Sequence, residues 1–277
     1  MKTRCEVCMH RCLLEPQQPG ICGARKNEGG TIISTNYGKV TALALDPIEK
    51  KPLKRFFPGS GILSVGSYGC NLKCPFCQNY QIAQSASCEE AFGIYDISPL
   101  ELVEKALELK SAGNIGLAFT YNEPLIGFEF VRDTARLAQS RGLKNVVVTN
   151  GSVTQKTAEA VLPYIDAMNI DLKGFTQRYY KMLGGDLETV KAFIRRAAGS
   201  CHVELTTLIV PGENDSDREI RELSQWIAAI DPEIPLHITR FFPNWRMRDR
   251  GPTEVKRIYE LVDIAGQYLN YVFAGNC

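Results

Sequence analysis

From residue 62 onward, short apolar runs alternate with stretches whose apolar residues recur every three or four positions. The runs at 62–65, 115–120, 144–149, 165–172, 202–210 and 236–239 are bounded by polar residues or glycine and read as buried strands. The stretches between them carry helix signals. Ser98-Pro99-Leu100-Glu101 has the form of a capping box with proline at the first helical position, and Ser216-Asp217-Arg218-Glu219 repeats the box. After the second box, Ile220, Leu223, Ile227 and Ile230 fall on one face. Thr253 is placed to cap a last helix with Val255, Ile258, Val262 and Ala265 inward. Six strands, each followed by a helix, imply parallel pairing with right-handed crossovers. Six is two short of a closed eight-stranded barrel, so the expected fold is α/β, a partial (β/α)6 barrel with its chemistry at the strand carboxyl ends.

Upstream the pattern changes. Residues 31–45 read as a β-hairpin, with Ile32-Ile33 and Val40, Leu43 and Leu45 flanking a turn at Asn36-Tyr37-Gly38-Lys39. Residues 46–59 hold Lys50, Lys51, Lys54 and Arg55 beside Phe56 and Phe57. Such a run is ordinarily a solvated loop, and a substrate-side role is the alternative. Residues 1–30 show neither period, and Pro16, Pro19, Gly20 and Gly23 mark them as loop. The expected organisation is a Cys-rich metal-binding segment (1–30), a hairpin and basic loop (31–61) and the partial barrel (62–277).

A length of 277 residues suits one large α/β domain with a small appendage. Lys plus Arg (32) against Asp plus Glu (31) leaves no global field to recruit nucleic acid or an anionic membrane. The amino terminus lacks the apolar core of a signal peptide, and no apolar run approaches spanning length, so a cytoplasmic location is expected. The ten cysteines sharpen the picture, because seven of them fall at metal-like spacings. Metal in a reducing, anaerobic setting is a better reading than disulfides.

Cys5-x2-Cys8-x3-Cys12-x9-Cys22 places four soft ligands within eighteen residues that hold few core formers. A closed zinc site, an auxiliary iron–sulfur cluster and free thiols are the readings open to it, with His10 either a substitute ligand or an exposed loop residue. Cys70-x3-Cys74-x2-Cys77 follows the strand at 62–65 directly. Three thiolates suit an iron–sulfur cluster that normally takes four, leaving one iron open to a small molecule. A zinc knuckle, or a disulfide with one spare thiol, explains neither that strand nor Gly69 and Phe76. Cys88 and Cys201 read as unpaired thiols, and Cys277 has no evident role.

The Cys-x3-Cys-x-aromatic-Cys pattern at 70–77 resembles the radical S-adenosylmethionine (SAM) enzymes. The wider text, including Asp46-Pro47-Ile48-Glu49-Lys50-Lys51-Pro52-Leu53, Thr120-Tyr121-Asn122-Glu123-Pro124, Ile170-Asp171-Leu172-Lys173 and 237–243, is similar to the glycyl-radical-enzyme (pyruvate formate-lyase) activases. Within that branch it most closely resembles the radical SAM member of the three-gene AmmeMemoRadiSam group. The resemblance implies a [4Fe–4S] cluster on Cys70, Cys74 and Cys77, whose open iron chelates the methionine end of SAM. It implies Glu123 as acceptor for the SAM ammonium, with a surface turn as the bland alternative. Phe76 would lie near the adenine. Asn150 would touch the ribose or carboxylate, or else be an ordinary turn residue before Gly151. Asp171 and Lys173, two apart and so on one strand face, would lie beside SAM or form a plain structural ion pair. His237 would be SAM-proximal or a satisfied packing residue. Val148 and Asn169 depart from the activase pattern and leave a monovalent-cation site there in doubt. Arg240, Arg246, Arg248 and Arg250, near Phe242 and Trp245, suggest a lid for an anionic substrate or an acidic partner.

The function so implied is reductive cleavage of SAM to a 5′-deoxyadenosyl radical that abstracts hydrogen from a partner glycine, another protein or a small molecule. A flavodoxin- or ferredoxin-type reductant would supply the electron. The rival is a non-catalytic zinc or iron–sulfur interaction protein. Residues 62–240 are expected to build the site independently of the amino-terminal cysteines.

Overall fold

The computed structural model describes residues 1–84 and 93–277. Its main sheet has eight strands in sequential order: β1 (Ala42–Pro47), β2 (Gly61–Gly66), β3 (Asn114–Thr120), β4 (Lys144–Thr149), β5 (Ala167–Asp171), β6 (His202–Ile209), β7 (Leu236–Arg240) and β8 (Val272–Gly275). Strands β2 to β8 are parallel, and β1 runs antiparallel to β2 at one edge. The six strands of the apolar pattern are therefore joined by a seventh parallel strand, Val272–Gly275, an apolar run of only four residues. The crossovers are carried by α1 (Pro99–Glu108), α2 (Phe128–Ser140), α3 (Gln155–Val161), α4 (Leu187–Ala198), α5 (Asp217–Ala228) and α6 (Val255–Ala265).

The helices bury one face each against the outward side of the sheet. Val103, Ala135, Ile194, Leu223 and Leu261 pack with strand residues such as Leu117, Val147, Ile170, Leu205 and Ile238 in one continuous core. Helix starts follow the sequence signals closely. Ser98 accepts from Glu101 N–H while the Glu101 carboxylate accepts from Ser98 N–H, a complete capping box. Ser216 also caps, but Glu219 turns away to accept from Phe175 N–H at 2.6 Å, so the second box is only half formed. The last helix departs further. Glu254 is its N-cap, Thr253 is buried and donates to Ile209 C=O, and Val255 is exposed, while Ile258, Leu261 and Ala265 face inward.

The hairpin expected over 31–45 does not form. Thr31–Ser34 pairs with Arg25–Glu28, and Lys39–Val40 pairs with Tyr95–Asp96. Residues 42–47 instead join the main sheet as β1. The turn at 36–39 exists, but Asn36 donates its side-chain amide to Tyr68 C=O and steers the chain away from a local pairing.

The basic loop 48–59 is also not a solvated loop. Ile48 and Leu53 are fully buried against Ile62, Ala118, Val146 and Ala167, the inward residues near the strand starts. The loop therefore plugs the amino-terminal end of the half-barrel. Polar bonds fasten it there. Asn169 donates to Pro52 C=O at 2.9 Å, and Lys51, 2% exposed, pairs with Asp46 at 2.8 Å beneath the Tyr121 ring.

The main fastener is Glu204, a fully buried carboxylate on β6. It accepts from Lys54 N–H (3.0 Å), Arg55 N–H (2.7 Å), His202 Nε2 (3.0 Å) and His237 Nε2 (2.6 Å). Burial alone would push its carboxyl up, but these four donors hold it down at about 2, against an ordinary 4.5. Glu204→Ala should cost roughly 3–5 kcal/mol in chemical denaturation near neutral pH, because two backbone N–H groups lose their partner inside the barrel. A folded-state pKa below the unfolded one stabilises above the unfolded pKa. The stability difference between wild type and variant should thus be full above pH 4.5 and shrink as pH falls from 4.5 toward 2. A difference that stays constant across that window would show that Glu204 does not act through its charge.

Candidate active site

The inward residues above the plug line one cavity of about 630 Å³, within the range of small-molecule pockets. Thr120, Val148, Asp171, Thr206, Thr239 and Gly275, one from each of β3 to β8, reach it near the strand carboxyl ends. A single cavity touched by six successive strands requires a curled sheet. Cys70, Cys74 and Cys77 form one wall, and Glu49, Lys50, Lys51, Pro52 and Lys54 from the plug form another. The six residues that the resemblance sets near SAM, Phe76, Glu123, Asn150, Asp171, Lys173 and His237, all line this cavity, whereas Asn169 and the arginines at 240–250 do not.

The cluster loop leaves β2 at Gly66 and is held by a second, smaller core. Leu72, Cys74 and Phe76 pack with Tyr179, Leu183, Val210, Phe241 and Met247. Phe76 meets Phe241 at right angles, 6.4 Å between centroids, and lines the cavity while almost wholly buried. Burial raises all three thiols above their ordinary range, Cys74 to about 11, so at neutral pH they are neutral until a metal takes the proton's place. Cys70 Sγ already receives Leu72 N–H at 3.4 Å, and Asn150 Nδ2 lies 3.7 Å away. Among the described residues, no three His, Cys, Asp or Glu side chains close around a point that one ion could occupy. Three soft thiols on one wall of a cavity suit a cluster that gives each cysteine a separate iron.

Glu123 caps the turn that follows β3 and is 2% exposed, which excludes the surface-turn alternative. Its carboxylate accepts from Thr149 Oγ1 (2.7 Å), Asn150 N–H (2.7 Å) and Leu125 N–H (3.0 Å). Burial outweighs these donors and lifts its pKa to about 7. Asn150 is no free turn residue either. Its Nδ2 donates to Asn71 Oδ1 at 2.9 Å and its Oδ1 accepts from Ser152 N–H. Asp171 and Lys173 pair at 2.7 Å. Burial opposes the Lys173 charge, but the Asp171 carboxylate pushes its pKa up, so a firm cation stands beside Cys74 and Cys77. His237 reaches the cavity, yet its Nε2 is used on Glu204.

Sequence reasoning passed over Glu204, His202 and Asn71. Glu204 had a legible signal: a lone acid inside an apolar strand must find donors. The arginine segment covers the cluster loop and does not stand free. Asn244 donates to Cys77 C=O at 3.3 Å, Arg246 N–H donates to Pro75 C=O at 2.9 Å, and Trp245 stacks on Tyr80. Arg240 and Arg250 are spent on Thr253 C=O and Glu213, while Arg246 and Arg248 are exposed.

The amino-terminal segment is more ordered than its composition suggested. Cys5, Cys8 and Cys22 are buried, with Cys12 partly so; burial first, and then the nearness of the other cysteines, raises the thiol pKa of Cys5, Cys8 and Cys22. His10 is not an exposed loop residue; its ring bonds to Asn71 C=O inside the cluster loop. Cys22 C=O accepts from Cys70 N–H. The expected independence of residues 62–240 is therefore corrected, because the cluster loop is tied to residues 10 and 22. Cys201 is unpaired, Cys277 is exposed beside Gly275, and Cys88 lies outside the described residues.

A half-barrel with three thiols, a buried glutamate and an ion pair converging at the strand ends defines an enzyme whose chemistry is supplied by a bound group at that mouth. The radical SAM superfamily domain matches residues 64–224, and the chain belongs to that superfamily. Over 278 residues it is 36% identical to an uncharacterised protein, MJ0808, of Methanocaldococcus jannaschii, covering 99% of this chain and 81% of that one. It is 28% identical to the pyruvate formate-lyase-activating enzyme of Clostridium pasteurianum over 62% of this chain and 72% of the relative. Among solved structures, Streptococcus suis SuiB aligns with a TM-score of 0.59 at 15% identity, over 76% of this chain and 48% of SuiB. A radical SAM methyltransferase from Sphaerobacter thermophilus gives 0.59 at 16% identity, over 79% and 67%. These structural likenesses concern the fold. Membership of the superfamily implies radical SAM catalysis with an iron–sulfur cluster and SAM, and no described helix is long and apolar enough to cross a membrane.

Proposed function

We propose that Cys70, Cys74 and Cys77 hold a [4Fe–4S] cluster and that the cavity beside them takes SAM and a substrate carrying the hydrogen to be removed. The observation that carries this reading is the sharing of one cavity by three thiols, Glu123, Asn150 and the Asp171–Lys173 pair. When bound, the reduced cluster supplies one electron to cleave SAM into methionine and a 5′-deoxyadenosyl radical, which abstracts hydrogen from the substrate.

The chain's own residues bind, orient and exclude water. Glu123 Oε2 accepts a single hydrogen bond, from Asn150, and so keeps capacity for the SAM ammonium. Its raised pKa fits that role, because a neighbouring cation would restore the charge that burial disfavours. Phe76 offers its ring to the adenine, and Asn150 lies within reach of the carboxylate or ribose. Asp171 and Lys173 fix opposite charges beside the thiols, and His237 completes the wall with its ring held by Glu204. A monovalent cation near Asp171 would find Lys173 already in place, which favours the ion-pair alternative for these two residues.

The substrate is a protein, possessing a glycyl or other hydrogen donor, or a small molecule. Lys50 and Lys54 on the plug side of the cavity favour an anionic group. A flavodoxin- or ferredoxin-type protein is the reductant, and the reducing cytoplasm is the setting, in keeping with nine described cysteines that are all free. Cys5, Cys8, Cys12 and Cys22 form a second thiolate site, for zinc or for an iron–sulfur cluster. Residues 1–30 serve as metal segment and 48–59 as plug, while 42–47 joins 61–277 in the barrel sheet.

Anaerobically prepared protein should be brown, and dithionite with SAM should yield 5′-deoxyadenosine. Cys70→Ala, Cys74→Ala and Cys77→Ala should each abolish that product, because two thiolates cannot hold a cluster with one open iron. A colourless zinc protein that leaves SAM intact would favour the non-catalytic rival. Glu123→Gln should keep the cluster but weaken SAM binding about ten- to a hundredfold, the loss of a charge-assisted hydrogen bond of about 1.5–3 kcal/mol. An unchanged SAM titration of the reduced cluster would remove Glu123 from the binding site.

A further inference from the structure

Residues 1–30 contribute nothing to the wall of the cavity, yet they are wedged against the peptide that carries Cys70. Cys70 N–H donates to Cys22 C=O at 3.1 Å. A Cβ on Gly69 would stand 2.6 Å from that same oxygen and 2.9 Å from Ala24 Cβ, and the φ of +89° there suits glycine as well. On the other side of Cys70, His10 Nε2 lies 2.8 Å from Asn71 C=O. A carbonyl can only accept, so Nε2 carries the proton. The first contact holds the peptide that enters Cys70, and the second holds the Asn71–Leu72 peptide, one residue beyond it.

Asn71 passes this grip to the sulfur. It is fully buried; its Nδ2 donates to Ser152 C=O at 2.9 Å, and its Oδ1 accepts from Asn150 Nδ2 at 2.9 Å. That same Asn150 amide is 3.7 Å from Cys70 Sγ, and the N–H of Leu72, the next residue, is directed at the sulfur at 3.4 Å. Both donors aimed at Cys70 Sγ therefore take their positions from Asn71. Hydrogen bonds to the sulfur ligands raise the potential of an iron–sulfur cluster by spreading the added negative charge.

The geometry points to His10 and the Cys22 carbonyl as positioning groups for the radical site, fixing the peptide that enters Cys70 and the Asn71–Leu72 peptide, whose N–H is one donor on its sulfur, while the Asn71 side chain sets the other. The inference rests on Cys70 as a cluster ligand. It gives the cysteine segment a task in the reaction: a change of metal or oxidation state at Cys22 would be felt at Cys70 through one shared hydrogen bond.

The test uses the full-length protein, reconstituted anaerobically, as wild type, His10→Ala, His10→Gln and Cys70→Ala. Iron content, the midpoint potential followed by the spectrum of the reduced cluster, and SAM affinity are measured for each. His10→Ala should retain its iron, titrate at a more negative potential and bind SAM about fivefold more weakly, as for the loss of one hydrogen bond. His10→Gln, whose side-chain amide can still donate to Asn71 C=O, should return most of both. Wild-type potential and affinity in His10→Ala would overturn the positioning role. So would a His10→Gln variant shifted as far as His10→Ala, or, if His10→Ala fails to fold, a His10→Gln variant that does not match wild type. Cys70→Ala separates the two levels. Its loss of the cluster leaves the ligand assignment standing whatever His10 does, whereas a retained cluster would remove the basis of both.

Discussion

A half-barrel has an interior that must be filled, and here the filling depends on one buried carboxylate. Glu204 has no access to water, so every lone pair it offers must meet a donor from the protein. It finds two in the backbone of Lys54 and Arg55, and that requirement brings the 48–59 loop inside the sheet. Once inside, Ile48 and Leu53 add apolar burial, and Lys51 reaches Asp46 under Tyr121. The plug sets the floor of the cavity, and the floor sets how deep a ligand can sit below the cysteines. The same carboxylate holds the His237 ring in the wall, so floor and wall share one anchor.

Glu204 and Glu123 make a useful contrast, since both are buried and both accept several hydrogen bonds. Four donors, two of them imidazoles, keep Glu204 ionised well below its ordinary range. Three neutral donors do not outweigh burial at Glu123, which is left near 7. A carboxylate saturated by the protein is a structural fastener. One left short of positive charge in a cavity is suited to a cationic ligand. The difference lies in the donors, and it separates the two roles without reference to any relative.

The parallel sheet was legible because apolar runs of strand length alternated with capped helices, and Ser98 and Ser216 both cap as their local chemistry dictates. The cysteines of the cluster loop, Glu123 and the Asp171–Lys173 pair were legible because their chemistry is local to a few residues at a strand end. What escaped was set by distant partners. The turn at 36–39 looks like a hairpin turn, but Asn36 is claimed by Tyr68 and residues 42–47 by β2, neither of which a local pattern can report. A lysine-rich loop looks solvated unless the acid that buries it, some 150 positions away, is known. β8 is an apolar run of only four residues, and it takes its place as a strand against the edge that β7 offers.

The amino-terminal segment shows the same limit in its strongest form. Its cysteines announce soft-metal chemistry, but its place against the cluster loop follows from contacts that no spacing encodes. Val7 C=O accepts from Thr154 N–H and Thr157 Oγ1, Cys8 pairs with Val153 in a single β-bridge, and Arg25 reaches Ile126 C=O on the turn that Glu123 begins and Glu129 in the first turn of α2. The segment thus touches the cluster loop, the turn after β3 and the start of α3 at once. Those are the three places from which Cys70, Glu123 and Asn150 enter the cavity. A segment so poor in apolar residues holds little shape by burial alone, and its order depends on these bonds and on whatever its thiols hold. Rigidity at the mouth of the half-barrel is therefore borrowed in part from outside the barrel. Cys22 is at once one of the four thiols and the owner of the carbonyl on which Cys70 leans, so the cysteine segment and the cluster loop meet at a single residue.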